Sequence, residues 1–355
     1  TNSITQTFSR RVIERHMAAK NPLSLVFAVP DHPWMKAADK AAVRIAMTVA
    51  EAGDLAGVLG EVDTEIALDT DAPQVHMRRR EGKILSSLTL GADINSIADL
   101  TSNLDMSRNG MMLAGSGFVL NATEALSLTR VSSRSIDRVV KPYVNGGDLV
   151  RNRSGRYVID AFNYSLDELQ TEFPDVYALL LERVKPERDH NRRAAFKERW
   201  WIFGEPRKTF RPALKDLPRY IGTTETSKHR VFQFIPATTT PDHMVVAIAL
   251  SDGQWSSILS SRLHVGWALA TGGWLGVGND PRYSKSRTFD PFPFPDLSEN
   301  PSLNSRLSDL GERLDAFRKE RLAAHDFLTM TGLYNVLERV RELEWKAGPG
   351  RHSEN

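Results

Sequence analysis

The sequence predicts an α+β fold: a mixed, β-containing body, entered through a short α/β stretch and closed by a C-terminal helical segment. Three observations predict it. Short apolar runs bounded by proline and glycine recur between Leu23 and Leu250, which is strand punctuation. Phe289-Asp-Pro-Phe-Pro-Phe-Pro295 allows neither a regular helix nor a central strand and marks a boundary. Beyond it Leu303, Leu307, Leu310, Leu314 and Phe317 recur at helical spacing. The divisions expected are residues 1–65, 66–297 and 298–355.

Each element has its own local reason. Thr7–Ala19 places Phe8, Val12 and Met17 on one helical face, and Leu23–Val29 is a strand between prolines. Asp31–Trp34 is expected as a turn or loop. Val43–Val49 alternates at period 2, favouring a strand after Lys40. Residues 66–140 mix turns and short helices. Gly110, Gly115 and Gly117 punctuate a loop before Phe118–Leu120, and Ala122–Thr129 is a helix. From Val139 to Tyr164 β structure is expected, with Asn145-Gly-Gly-Asp148 as a hairpin-type turn and Arg156–Phe162 as a strand. Leu166–Arg183 is helical with a break at Pro174, and strands at Arg230–Ile235 and Met244–Leu250 follow. Gly253–Pro295 reads as loop-rich and aromatic-rich. Pro301 suits the first turn of the next helix, and Gly332 is expected to separate it from a last one.

Composition excludes whole classes. The chain has 355 residues, 41% hydrophobic and 25% charged, which rules out a disordered chain, a collagen-like fibre and a coiled-coil rod. Without a cysteine there is no disulfide scaffold, zinc ribbon, iron–sulfur site or thiol nucleophile. The most apolar windows, Leu25–Pro30 and Met244–Leu250, fall far short of the roughly 18 residues a membrane helix needs. No membrane partner and a cytoplasmic location are therefore expected. No signal peptide is read at the start, and a chain beginning at Thr1 is expected to be processed or cut from something longer.

Net charge is only +2, but it is segregated. Arg183 to Arg230 holds fourteen Lys/Arg against six Asp/Glu, a balance of +8, so the remainder is negative. A basic stripe on a near-neutral protein is the footprint of a polyanion site. Arg188, Arg192, Arg193, Lys197 and Arg199 precede Trp200-Trp201, and Arg207, Lys208, Arg211, Lys215 and Arg219 follow. Cations of this kind neutralise phosphates and aromatic planes stack on bases. The alternative for the two tryptophans is a pair of core anchors. Gly272 to Lys285 is rich in glycine and carries Asn279, Asp280, Arg282, Tyr283 and Lys285; it matches neither a P-loop nor a dinucleotide fingerprint. Phe27 and Trp34 bracket a run in which an aromatic could stack on an extruded base, the alternative being core packing. Asp71, Glu81 and Lys83 fit a metal-nuclease arrangement only loosely, the nine histidines show no zinc spacing, and His264 after Ser260-Ser261 lacks a nucleophile elbow.

These pieces, taken in order, resemble the C-terminal half of large bacterial DNA adenine-N6 methyltransferases: the MmeI-like fused restriction–modification enzymes and the methyltransferases of phage-defence islands. The matching stretches begin with Asn2-Ser3-Ile4, Leu25–Trp34, Gly110–Phe118 with Glu124-Ala125, and Lys141-Pro-Tyr-x-Asn-Gly146. Ile159-Asp160, Val184-x-Pro-x-Arg188, Trp200-Trp201, Arg219-Tyr-Ile221 and Ser227-Lys-x-x-Val-Phe232 follow. Ser260-Ser-x-x-His-x-x-Trp267, Arg282-Tyr-Ser284 and Phe292-Pro-Phe-Pro295 complete the set, which covers residues 1 to about 297.

The resemblance implies that residues 1–65 end a methyltransferase domain, that 66–297 are a target recognition domain, and that 298–355 brace it or dock a partner. Phe27 and Trp34 would then lie near the flipped base. Arg188, Arg192, Arg193, Lys197, Arg207, Lys208, Arg211 and Lys228 would contact phosphates, and Asn279, Asp280, Arg282, Tyr283 and Lys285 would read bases. Such enzymes bind S-adenosylmethionine and carry an Asn/Asp-Pro-Pro-Tyr/Phe motif. This sequence contains neither that motif nor a glycine-rich cofactor loop after a strand, so no catalytic residue, metal or cofactor is expected in it. Those elements would lie upstream of Thr1. The expected partners are double-stranded DNA and a methyltransferase catalytic region, in cis or in trans. The competing reading is a non-catalytic subunit that docks on a separate methyltransferase or nuclease chain.

Overall fold

A computed structural model describes residues 4, 7–34, 43–68, 70, 72–91, 97–131, 135–151, 155–275 and 280–347. Asn2, Ser3, Asp71 and Asn279 lie outside the described residues, as does the side chain of Asp280. The described chain divides into two compact units, one up to Ala98 and the other from Asp99 onward.

Among the described residues the first unit is built on one sheet and one α-helix. Helix α1 (Thr7–Met17) precedes strands β1 (Leu23–Pro33), β2 (Arg44–Ala52), β3 (Gly57–Ile66) and β4 (Gln74–Gly82). They lie in the order β2-β1-β3-β4, with β1 and β3 parallel and the other pairs antiparallel. Leu25, Ala28, Leu59, Ile84 and Leu88 form its buried core. Two expectations are corrected here. The strand β1 runs through Asp31-His32-Pro33, where a turn was expected, because a register shift re-pairs His32 with Ile45 and Pro33 with Arg44. The strand β4, Gln-Val-His-Met-Arg-Arg-Arg-Glu-Gly, has no apolar alternation to betray it; backbone pairing to β3 makes it a strand, on the sheet edge where charge suits.

The second unit opens with β5 (Ser107–Asn109), β6 (Val119–Asn121), α2 (Ala122–Val131), β7 (Val140–Val144), α3 (Gly146–Arg151) and β8 (Arg156–Ile159). Helices α4 (Leu166–Glu172), α5 (Pro174–Arg183), α6 (Lys185–Asp189), α7 (Ala194–Glu198) and α8 (Arg211–Lys215) lead to β9 (Arg219–Thr224), β10 (Gln233–Pro236), β11 (Thr240–Pro241) and β12 (Val245–Ile248). Then come α9 (Gly253–Ser260), α10 (Arg262–Thr271), the ribbon β13 (Gly273–Leu275) and β14 (Asp280–Arg282), and the helices α11 (Pro301–Ala324) and α12 (Met330–Ala347).

Two sheets organise this unit. One has the order β11-β7-β8-β6 and packs with α2, α4 and α5 around Phe118, Val158, Leu169, Val176 and Leu180. Ser165 and Glu168 form a capping box that starts α4, and Pro174 begins α5 at the expected break. The other has the order β10-β9-β12-β5 and is buried on both faces. In β12 Val246 and Ile248 face the cluster with Leu259, Ala268 and Phe289, while Val245 and Ala247 face the cluster with Val144, Leu149 and Phe210. A strand covered on both sides reads as a continuous apolar run, which is why Met244–Leu250 is so legible.

Three further expectations are corrected. Asn145-Gly-Gly-Asp148 is not a hairpin turn: Asn145 Oδ1 accepts the Asp148 N–H at 2.9 Å and starts α3 instead. Among the described residues Gly253–Pro295 holds α9, α10 and a π-helical turn at Lys285–Phe289 where loop was expected; Gly253 presses against α11, with no room for a Cβ, which would stand 2.2 Å from the Ser308 carbonyl oxygen. Gly332 lies inside α12; the break is at His325–Thr329.

The C-terminal helix α11 buries an unexpected face. Gly311, Asp315, Arg318 and Leu322 point inward, whereas Leu303, Leu310 and Phe317 of the apolar stripe are exposed. The reason is its partner. The strand β10 is a sheet edge with unpaired backbone groups. Asp315 Oδ1 accepts the Phe234 N–H at 3.0 Å, Lys319 donates to the Phe234 carbonyl at 2.7 Å, and Arg318 donates to the Phe232 carbonyl at 3.0 Å. The helix completes the sheet with side chains in place of another strand.

Candidate nucleic-acid interface

The basic segment separates into structural and free cations once folded. Arg188 is 1% exposed; it donates to the carbonyls of Leu113 and Ile202 and lies against the faces of Phe118 and Phe196. Burial pulls its pKa down from the ordinary arginine value. A phosphate-binding role for Arg188 is therefore corrected: it is a strut under the 113 and 202 backbones. Arg230 is likewise buried and spans the Thr224 and Pro281 carbonyls, and burial lowers its pKa to about 10. Arg211 grips Asp160 with both terminal nitrogens, at 2.8 and 3.1 Å. Arg207 holds the Gly110 carbonyl and pairs with Glu205 at 2.5 Å; Lys228 reaches Asn335 and Glu338.

Arg183, Lys185 and Arg219 pair with Glu124, Asp189 and Glu312. What remains is Arg192, Arg193, Lys197, Arg199, Lys208 and Lys215. All six are exposed, and none has a carboxylate partner among the described residues. Arg193 rests on the Phe196 ring. Four of them cluster around the short helix α7. Trp200 and Trp201 are the core anchors: Trp200 is 4% exposed in the main cluster, and the Trp201 indole N–H donates to the Tyr164 carbonyl.

The second cluster of expected residues also resolves by burial. Tyr283 is 1% exposed, its hydroxyl 3.0 Å from His264 Nε2, so direct base reading by Tyr283 is corrected to a supporting role. Burial and the nearby Arg230 push the His264 pKa down to about 3, so its ring is neutral. Lys285 is tied to the buried carboxylate of Asp290 at 2.6 Å. Arg282, at the end of β14, presents 49% of its side chain to solvent. In the first unit Phe27 is half-buried mid-strand, its register partners being Val49 and Val58, while Trp34 follows β1 with 59% exposure.

Three residues that sequence reading missed form a hydrogen-bonded chain behind Arg282. Glu225, just past β9, accepts Arg282 Nε at 2.6 Å on one carboxylate oxygen and Asn109 Nδ2 at 3.0 Å on the other. Asn109 ends β5 and donates also to the His243 carbonyl. His243 Nδ1 lies 3.0 Å from Asp242, which accepts the Tyr143 hydroxyl at 2.6 Å. Glu225, Asn109 and His243 are isolated polar residues at strand ends, and only the pairing of β9, β12 and β5 places them together. Only at β12 was there a hint, the abrupt change from Asp242-His243 to the apolar run Met244–Leu250; β5 is polar throughout.

The described start of the glycine-rich segment, Gly272 and Gly273, is not placed as in a nucleotide or S-adenosylmethionine loop. Gly272 follows the C-terminus of α10 and enters an antiparallel ribbon, not the N-terminus of a helix after a parallel strand. Its lack of a Cβ serves close packing: the atom would lie 2.5 Å from the carbonyl oxygens of both Ala268 and Arg282. Among the described residues no helix is long and apolar enough to cross a membrane, and no three His, Asp or Glu side chains gather as a metal set.

One half-exposed arginine at a strand end, and six exposed cations without a carboxylate partner among the described residues, are features that a polyanion-recognition module needs. Residues 94–296, more than half of the chain, match the family model described as MmeI, target recognition domain, and the chain belongs to that family. Among solved structures it is similar in fold to the Type IIL restriction-modification enzyme MmeI in complex with DNA, at 20% identity and a TM-score of 0.68. That match covers 94% of this chain and 43% of the other, so the chain spans less than half the length of the enzyme it resembles. No curated protein matches it in sequence.

Proposed function

We propose that this chain recognises a DNA target sequence on behalf of an adenine-N6 methyltransferase of a restriction–modification or phage-defence system, the methyl transfer being the work of residues outside this sequence. Membership of the target recognition family over residues 94–296 carries the reading. The geometry supplies the means: Arg192, Arg193, Lys197, Arg199 and Lys208 set the register on phosphates, and Arg282 reads a base, with Asn279 and Asp280 beside it in sequence. S-adenosylmethionine would belong to the catalytic region: Gly272 and Gly273 lead into an antiparallel ribbon and not into a helix N-terminus, which supports that assignment.

The test is duplex binding as a function of salt. Five phosphate contacts predict an affinity loss of about 500-fold between about 50 and 200 mM salt. Binding that is flat over that range would remove the phosphate contacts and the proposal with them. A second reading, docking on a separate catalytic chain, is favoured by the exposed stripe Leu303, Leu310 and Phe317 on α11. Loss of co-purification with a catalytic chain when Leu310 and Phe317 are replaced by Ser would support it.

A further inference from the structure

We infer that Glu225 is a positioning residue that makes Arg282 a reader of guanine, an inference that rests on the DNA-recognition reading above. The argument begins with which edge of the guanidinium is spent. An arginine fork offers a side edge, Nε with one Nη, and an end edge, Nη1 with Nη2. Glu225 Oε1 accepts from Arg282 Nε at 2.6 Å and pairs with Nη2, so the side edge is occupied. The end edge keeps two parallel donors, and it belongs to a side chain that is 49% exposed.

Nor can Glu225 swing away. It is 8% exposed, and its second oxygen is held by Asn109 Nδ2. Its backbone is clamped on both sides: the N–H donates to the Met244 carbonyl at 2.7 Å, and the carbonyl accepts the Tyr283 N–H at 2.7 Å. The strand carrying Arg282 is fixed as firmly. The Pro281 carbonyl accepts from buried Arg230 at 2.9 Å, and the Tyr283 ring lies beneath that guanidinium. Arg282 is thus the exposed residue between two buried neighbours, on a support with little freedom.

Two parallel donors select a base. Guanine presents O6 and N7 as two acceptors in the major groove, whereas adenine presents an acceptor and a donor, which would oppose an N–H of the fork. The geometry also matches two oxygens of a phosphate, and the experiment separates the two. The carboxylate fixes the direction of the fork, and that direction sets the preference.

The experiment uses the 355-residue chain and a library of duplexes with a randomised central segment, selected for binding and sequenced. The chain should enrich a motif containing a required guanine. Arg282→Ala and Arg282→Lys should both lose that guanine and keep the other positions, with a fall in discrimination of roughly 10- to 100-fold at that base pair. Glu225→Gln should relax the same position by about tenfold, leaving the other positions unchanged. Should Glu225→Gln fail to fold, as judged by thermal melting, Asn109→Ala frees one carboxylate oxygen and should relax the same position to a smaller extent.

Three results would overturn the inference. One is full guanine preference in Glu225→Gln or, if that does not fold, in Asn109→Ala. Another is a uniform loss of affinity across all sequences in Arg282→Ala, which would place Arg282 on a phosphate. The third is selection of a motif with no position sensitive to Arg282. If the parent chain selects no motif at all, the DNA-recognition reading itself fails, which is a distinguishable outcome.

Discussion

Replacing Asp315 by Ala strips the sheet edge of its side-chain partner. The Phe234 N–H on β10 has Asp315 Oδ1 as its acceptor at 3.0 Å, and Phe234 is 4% exposed. A buried donor left without a partner costs about 1–3 kcal/mol, and a bond to a charged acceptor lies at the upper end of that range. The Asp315–Lys319 pair is partly exposed and adds about 0.5 kcal/mol. The sum is a loss of about 2–4 kcal/mol. For a cooperative unit of this size, about 2 °C per kcal/mol gives a fall in Tm of roughly 4–8 °C. Thermal melting by circular dichroism reads it directly. Asp315→Asn keeps an oxygen for the Phe234 N–H and sets an amide against Lys319, so it should cost about 1 kcal/mol. The contrast between the two variants isolates the edge contact. Equal melting temperatures for Asp315→Ala and Asp315→Asn, or an Ala variant within about 0.5 kcal/mol of the parent, would refute the idea that α11 holds the sheet by hydrogen bonds.

Further outcomes follow from the same physics. Arg188→Ala should lower stability by about 3 kcal/mol, by orphaning the Leu113 and Ile202 carbonyls, while the salt slope of DNA binding stays unchanged. Lys197→Ala should do the opposite, leaving the melting temperature within about 1 °C and reducing the slope of log K against log salt by about 1. His264 is neutral in the fold, with a pKa near 3 against an ordinary 6.5. The unfolded chain therefore binds the extra proton below pH 6.5, and stability should fall by up to about 1.4 kcal/mol per pH unit as pH drops from there toward 3. Melting between pH 7.5 and 5 should show a shallower slope in His264→Gln than in the parent. Gly311→Ala sets a Cβ 2.0 Å from the Gly253 carbonyl oxygen and should cost about 1–3 kcal/mol by forcing α9 and α11 apart, visible as a lower urea midpoint.

Whereas β9 was not expected, the α+β class, the positions of β1, β8, β10 and β12, the break at Pro174 and the family are legible in the sequence alone. Each of these rests on local chemistry: apolar runs, proline's missing donor, an ordered set of short motifs. The sequence also singled out the basic stretch after Arg183 and the segment around Arg282 as candidates. Only tertiary structure decided which of those residues are free. Arg188 and Arg192 are the same residue type four positions apart, yet one is enclosed by Phe118 and Phe196 and the other faces water. The same holds for α11. Its leucine stripe names the face that an apolar partner would bury, but its partner is a strand edge that needs donors and acceptors, so Asp315 and Arg318 go inward and Leu310 stays out. Glu225 shows the limit most plainly: it meets Asn109 across 116 positions of chain, and hydrogen bonding at that range is set by strand pairing, which no local pattern encodes.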